Sequence, residues 1–469
     1  MVIWVDGERV EMSSRYATTT TQATASRFAI VTLGCAKNEV DSDRMRSLLL
    51  RDGMSEAEDA NNADVVLINT CSFLSSATSE SIEATLELAD LEEKGRAPIV
   101  MCGCVPSRYG ESLETQLPEV SAFVRADEED DIVSVVRGVL GCPEQKKSQD
   151  TTEGELRTIQ GSSSFVKISE GCDRFCAFCA IPYIRGRYHS RSADEICREI
   201  ASLMVGGVRE VILIGQDTGV WGCDLATEDT LAALLRRVAE VVRPYHGWVR
   251  VLYLQPEGMT DDLISVIREV PEVLPYIDIP IQHCNKRVLA SMGRSGSHEQ
   301  LSELFARLRR EIPGMVLRTT AMAGFPGETD AEADELAEFV QDEEFDYTSV
   351  FTYSPEEGTR AATMPNQVSD EVKLQRTQHL HDIAELMGFA ATARHVGEEV
   401  SVIIDGSEEG ADGPELIGHA WFQAPDCDGA VHIAQGEAHV GDIIRCRLVD
   451  SVCYELYGEM VKTKKDGLK

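Results

Sequence analysis

Cys172-Asp173-Arg174-Phe175-Cys176-Ala177-Phe178-Cys179 places three thiols within eight residues at the spacing C-x₃-C-x₂-C. A loop with such spacing wraps a compact object. Four thiolates hold an ordinary cubane iron–sulfur cluster, and three leave one iron open to chemistry, as catalytic metal sites keep a vacant position. A structural zinc knuckle is the other use of this spacing, but it wants a fourth donor nearby, and the next Cys or His after Cys179 is His189. Upstream, three further cysteines each follow an apolar run: Cys35 after residues 28–33, Cys71 after 65–68, and Cys104 after 99–101. Cys102 is a rival to Cys104, since residues two apart on a strand share a face. Of the 14 cysteines, Cys142, Cys197, Cys223, Cys427, Cys446 and Cys453 read as small buried hydrophobes. Cys284, beside His283, either lines a pocket or packs in the core.

The elements that must position these thiols follow from the apolar pattern. In 26–141, strand-like runs alternate with amphipathic helical stretches, the pattern of βαβ units and a parallel sheet. Ligands of such sheets bind beyond the carboxyl ends of the strands, so Cys35, Cys71 and Cys104 are expected to converge on one edge. Residues 142–157 are polar and read as a linker. From 158 to 392 the alternation continues with six strand runs (165–168, 211–214, 249–254, 276–281, 316–321 and 347–353), which predicts a partial (β/α)₆ barrel. The loops after these runs carry Gln216-Asp217, Gln282-His283 and Gly324-Phe325-Pro326-Gly327-Glu328-Thr329. Gln216, Asp217, Gln282 and His283 are candidates to position a substrate or cosubstrate, or His283 is a hydrogen-bonded structural histidine. Residues 393–464 change to short alternating runs and predict a small antiparallel β-barrel. Residues 1–25 lack apolar periodicity and read as a flexible leader.

Composition narrows the partners. The 469 residues carry 44 Lys plus Arg against 80 Asp plus Glu, a formal net charge of −36 that repels phosphate backbones. No apolar run is long enough to span a membrane and no secretory signal opens the chain, so a cytoplasmic protein with reduced thiols is expected.

On these motifs the chain resembles the radical S-adenosylmethionine enzymes, and over nearly its whole length the methylthiotransferases. The latter likeness rests on Leu33-Gly34-Cys35-Ala36-Lys37-Asn38, Asn69-Thr70-Cys71-Ser72-Phe73 and Gly103-Cys104 as well as on the C-x₃-C-x₂-C loop. The resemblance implies two [4Fe-4S] clusters, one on Cys172, Cys176 and Cys179 and an auxiliary one on Cys35, Cys71 and Cys104. It implies S-adenosyl-L-methionine at the open iron of the first, with Phe178 either beside the adenine or an ordinary core ring. Two molecules of the cosubstrate would be used, one as methyl donor and one as the source of a 5′-deoxyadenosyl radical, and no protein acid or base is assigned to the hydrogen abstraction. The last domain resembles the TRAM fold.

One branch of the family modifies an adenosine in transfer RNA, the other an aspartate of ribosomal protein S twelve. Lys167-Ile168-Ser169-Glu170-Gly171-Cys172, Ile214-Gly215-Gln216-Asp217-Thr218, Ile279-Pro280-Ile281-Gln282-His283, Ser354-Pro355-Glu356-Glu357-Gly358-Thr359 and Ala424-Pro425-Asp426-Cys427-Asp428-Gly429 resemble the second branch. Charge agrees, because an acidic enzyme favours a basic ribosomal protein over nucleic acid. The final 77 residues hold seven Lys/Arg and fifteen Asp/Glu, with no basic aromatic strip for stacking bases. The expected activity is β-methylthiolation of the aspartate, with flavodoxin or ferredoxin as electron donor, a separate sulfur donor, and no membrane. The alternatives are a transfer-RNA methylthiotransferase and a non-enzymatic iron–sulfur redox sensor or scaffold.

Overall fold

Runs of Val, Ile and Leu bounded by Gly and Asp build two parallel sheets and one barrel in a computed structural model of the chain. It describes residues 2–5, 8–11, 26–90, 97–142, 157–158, 161–227, 229–410, 413–434 and 436–461. Within the expected leader, β1 (Val2–Val5) and β2 (Glu8–Glu11) form an antiparallel pair separate from the other sheets. Its other residues up to 25, and 143–156 of the expected linker, lie outside the described residues.

The first sheet domain runs β3 (Arg27–Thr32), α1 (Ala36–Arg51), β4 (Ser55–Glu56), β5 (Val65–Thr70), α2 (Ser75–Ala89), β6 (Ile99–Gly103), α3 (Cys104–Tyr109), α4 (Leu113–Gln116), β7 (Val120–Arg125) and α5 (Ile132–Val139). The strand order is β4-β3-β5-β6-β7, all parallel. β5 and β6 are buried at every position because helices cover both faces, which is why they read as unbroken apolar runs.

The second domain comprises β8 (Ser163–Lys167), β9 (Ser169–Glu170), α6 (Ile181–Ile184), β10 (His189–Ser190), α7 (Ala193–Val205), β11 (Glu210–Ile214), α8 (Leu231–Val242), β12 (Trp248–Val251), α9 (Asp261–Glu269), β13 (Val273–Gln282), α10 (Lys286–Met292), α11 (His298–Glu311), β14 (Val316–Ala323), α12 (Asp330–Glu343), β15 (Tyr347–Thr352) and α13 (Asp370–Ala393). The parallel order β8-β11-β12-β13-β14-β15 follows the chain without closing, as a six-stranded partial barrel does. Strand alternation splits its two faces. Val211, Leu213, Val249, Ile277 and Ile279 pack against the helices, whereas Ile212, Ile214, Leu252 and Tyr276 belong to a second core on the opposite face.

That second core continues into the last domain, a closed barrel of β16 (Glu399–Gly410), β17 (Gly413–Ala420), β18 (Val431–Ile433), β19 (Ile443–Val452) and β20 (Glu455–Met460). Its pairings are antiparallel except β18 with β20, which is parallel. Val402, Ile404, Phe422 and Leu456 of the barrel join Ile212, Leu252 and Tyr276. A buried polar clamp fixes the contact: the Glu210 carboxylate accepts from Arg250 (2.6 Å) and pairs with His419 (2.6 Å), whose other ring nitrogen meets Asp405 (2.7 Å). The Tyr276 hydroxyl donates to Asp428 at 2.6 Å.

Two further clamps join the first domain to the second. Lys167 and Arg185 both pair with Asp41, and Arg157 bridges Asp43 and Glu199. At the other end Glu356 accepts from the Ser75 backbone N–H (2.9 Å) and hydroxyl (3.0 Å) and pairs with Arg108 (3.2 Å). No helix among the described residues is long and apolar enough to cross a membrane.

Candidate active site

The upstream thiols sit where parallel strands end. Cys35 caps the N-terminus of α1 after β3, Cys71 follows β5, and Cys104 opens α3 after β6. The turn at Gly34 brings the first two together: with φ +105°, a Cβ on Gly34 would lie 2.8 Å from Cys71 Cβ and 3.2 Å from its Sγ. Cys104 acts electrostatically on Cys71, and Cys35 on both. Burial pushes the Cys71 thiol up to about 11. It pushes Cys104 up as well, while the adjacent Arg185 pulls it back.

The rivalry between Cys102 and Cys104 has a structural answer in the backbone between them. β6 ends at Gly103, whose φ of +89° turns the chain. Cys102 is left in the apolar core with Phe28, Met45, Leu67 and Val124. Cys104 instead packs against Ala180 and Ile184 of the second domain, 3.5 Å from Arg185 Nη2. Gly103 is needed here, since a Cβ would fall 2.2 Å from Asn69 Oδ1 and 2.9 Å from the Thr70 carbonyl.

The downstream loop is pinned from both sides. Gly171 (φ +72°) lies so close to the Arg187 carbonyl that a Cβ would come within 2.1 Å of it. The Cys172 N–H donates to Gly186 O (3.2 Å), Ala177 N–H to Met292 O (2.7 Å), and Ala361 N–H to Ala177 O (2.8 Å). Cys179 feels the charges of Cys176 and Cys172, and burial pushes its thiol up to about 12. Phe178 is buried among Val288, Met292, Phe325 and Tyr353, with the Arg294 guanidinium 5.9 Å from its ring centroid.

Donor spacing tests what either trio can hold. A tetrahedral zinc with Zn–S near 2.3 Å puts its sulfurs only about 3.8 Å apart. Among the described residues, the group of three ligand-type side chains whose donors all lie within 4.8 Å of one another is Cys284, His298 and Glu335, not either cysteine trio. The thiols of each trio are near enough to act on one another electrostatically, and sets of cysteine thiolates are the ligands of iron–sulfur clusters. Ligation requires deprotonation, so buried, protonated thiols tie cluster assembly to proton release. Cys284 itself packs in the helix-side core, its thiol donating to the Glu335 carbonyl at 3.6 Å.

The strand-end candidates divide. Asp217 pairs with Arg174 inside the cysteine loop, and Gln216 Nε2 donates to Glu170 at 2.6 Å. Gln216 Oε1 and Asp217 Oδ1 are buried without a hydrogen-bond partner among the described residues, as expected where a polar ligand is received. Gln282 has φ +68°, a strained conformation for a non-glycine residue. His283 is fully buried, its Nδ1 accepts the Asn285 N–H at 2.9 Å, and burial holds its imidazole down at about 4. It is therefore neutral at physiological pH.

Sequence reading missed Arg185. Almost wholly buried, it donates to Asp41 (2.8 Å), Asn38 Oδ1 (3.2 Å) and Cys104 Sγ, tying the auxiliary thiols to the second domain. Its other partner Glu170 is held down at about 2: burial opposes the charge, but Lys167 and Arg185 override it. It also missed Lys37, two residues past Cys35, whose Nζ stands 3.2 Å from the Tyr253 ring centroid. Proximity to Cys35 was the available signal.

Comparison with known proteins follows the same three parts. Residues 27–125 match the "Uncharacterized protein family UPF0004", 166–340 the "Radical SAM superfamily", and 396–461 the "TRAM domain". A protein of Geobacter sulfurreducens named "Ribosomal protein uS12 methylthiotransferase RimO" is 40% identical over 445 residues, covering 93% of this chain and 98% of its own. A protein of the same name from Nostoc sp. is 39% identical over 441 residues, covering 92% and 98%. Among solved structures, the radical S-adenosylmethionine methyltransferase TsrM of Kitasatospora setae superposes with a TM-score of 0.53 at 14% identity, over 70% of this chain and 73% of that one, a likeness of fold.

Proposed function

Because this chain belongs to the ribosomal protein uS12 methylthiotransferase family, we propose that Cys172, Cys176 and Cys179 hold one [4Fe-4S] cluster and Cys35, Cys71 and Cys104 a second. The chain is a radical S-adenosylmethionine methylthiotransferase acting on ribosomal protein uS12, and the group modified is the β-carbon of an aspartate. When bound, the clusters and S-adenosylmethionine would supply one-electron chemistry at an unactivated carbon and the methyl group it receives.

The chain's own residues bind and orient. Arg174 and Asp217 fix the cysteine loop against the end of β11, and the unpartnered Gln216 and Asp217 oxygens receive the polar part of the cosubstrate. Phe178 backs the loop with a buried ring. Neutral His283 exchanges no proton near pH 7 and serves as a fixed hydrogen-bonding strut. Arg185 holds the two trios' domains in register.

The observation that supports this reading best is the pair of thiol trios, each at the end of its own parallel sheet, with Arg185 of the second domain reaching Cys104 of the first. A low-potential carrier such as flavodoxin or ferredoxin delivers the electrons, a separate donor supplies sulfur, and the enzyme works in the cytoplasm. A net charge of −36 favours a basic protein over transfer RNA.

The test is anaerobic reconstitution, reduction with dithionite, and incubation with S-adenosylmethionine and either uS12 or transfer RNA. The expected result is about eight irons per chain and a mass gain on uS12 equal to replacing H by SCH₃, localised to aspartate. Modification of transfer RNA instead would reverse the substrate assignment. Failure to form 5′-deoxyadenosine would favour a redox sensor. Cys176→Ala should abolish cosubstrate cleavage, whereas Cys104→Ala should keep cleavage and lose methylthio transfer.

A further inference from the structure

Apart from both trios, the described residues hold a compact set of metal-ligand atoms. Cys284 Sγ, a ring nitrogen of His298 and a carboxylate oxygen of Glu335 all lie within 4.8 Å of one another. They come from three segments: Cys284 from the loop after β13, His298 from the first position of α11, and Glu335 from within α12. His298 Nδ1 stands 3.6 Å from Glu335 Oε1. That is too long for a hydrogen bond and close to the ~3.3 Å edge spanned by two ligands of a tetrahedral zinc.

Each donor is held from behind. Asn285 Nδ2 donates to the other Glu335 oxygen at 2.6 Å, which leaves Oε1 turned to His298. Phe339 meets the His298 ring edge to face, with centroids 5.0 Å apart. Ser297 caps α11 by accepting the Gln300 N–H, so the imidazole is not needed to close the helix. Metal sites are built this way, with outer partners fixing the ligands. Cys284 is fully buried, its thiol on the Glu335 backbone carbonyl. Burial pushes that thiol up, so a metal must displace its proton. The His298 and Glu335 side chains are 34% and 32% exposed, so an ion can enter past them and meet the sulfur at the bottom.

Ligand softness selects the ion. A thiolate with an imidazole and a carboxylate suits zinc, whereas magnesium and calcium take oxygen donors. We propose that Cys284, His298 and Glu335 bind a zinc ion, with water in the fourth position, and that the ion staples the loop after β13 to α11 and α12. This goes beyond the methylthiotransferase reading, since no step of that reaction passes through the site.

The test adds zinc chloride to reconstituted holoenzyme, whose cluster cysteines already carry iron, and removes unbound metal by gel filtration. Wild type should keep about one zinc per chain with iron unchanged at about eight. Zinc K-edge absorption should show a single sulfur at about 2.3 Å and nitrogen or oxygen at about 2.0–2.1 Å. His298→Ala and Glu335→Gln alter partly exposed side chains outside both trios, and each should weaken zinc binding by about tenfold or more. Zinc should raise the melting temperature of wild type and not of these two variants. Cys284→Ala should remove the sulfur from the zinc spectrum, and if it does not fold the other two variants decide. No zinc on wild type, undiminished zinc binding in His298→Ala and Glu335→Gln, or a zinc shell of two or more sulfurs with loss of iron would overturn the proposal, the last by placing the ion on the cluster cysteines.

Discussion

At the scale of single residues the auxiliary site turns on a change of direction at Gly103. Cys102 and Cys104 are equivalent by strand alternation, and the positive φ between them sends one into the core and the other to the domain seam. Two serine substitutions separate their roles. Cys102→Ser buries a hydroxyl among apolar neighbours and should cost about 1–3 kcal/mol in urea unfolding while iron stays at about eight per chain. Cys104→Ser should leave about four irons per chain. Gly103→Ala should be worse than either for the first domain. Its Cβ meets Asn69 Oδ1, and Asn69 cannot yield because its amide donates to Asn38 O (2.8 Å) and Ser42 Oγ (2.9 Å). The expected outcome is loss of the auxiliary iron together with a lowered melting temperature.

At the scale of elements, buried charges decide how the domains sit. Removing the Arg185 guanidinium leaves Asp41 and Glu170 short of a partner, so Arg185→Met should destabilise by about 3–5 kcal/mol in chemical denaturation and lower methylthio transfer. The clamp between the barrel and the last domain adds a pH dependence. Burial works against a charged His419, but Glu210 and Asp405 overcome it and push the imidazole up to about 9. A free histidine titrates near 6.5, so the clamp's contribution, about 3 kcal/mol, is complete below about pH 6.5 and is lost as pH rises through about 9. Unfolding midpoints at about pH 6 and about pH 9.5 should differ in wild type by more than in His419→Gln. The major strands were legible in the sequence because doubly covered parallel strands are continuous apolar runs, as in 65–68 and 99–101. β4, two exposed residues, and β7, half-exposed at the sheet edge, carry no such run. The cysteines were legible by spacing. Arg185 was not, because Asn38 and Asp41 lie about 145 residues away and no local pattern links them.

At the scale of the whole molecule, 80 acidic against 44 basic residues make encounter with a basic protein electrostatic. Raising salt from about 0.05 to about 0.3 M should increase KM for uS12 by several-fold while kcat changes little, because screening acts on approach and not on the assembled site. Steady-state assays across that range check it, and a flat KM would assign recognition to apolar contact. Three separate families match residues 27–125, 166–340 and 396–461, yet the core under Tyr276 is shared by the second and third domains. The last domain is thus no detachable cassette. Grafting it from a relative without the residues beneath it, or trimming the chain at 392, would bare Ile212 and Leu252 and strand Arg250 and Glu210 at a new surface. Inheritance should accordingly have treated the two as a single unit, with changes at Phe422 or His419 answered across the seam.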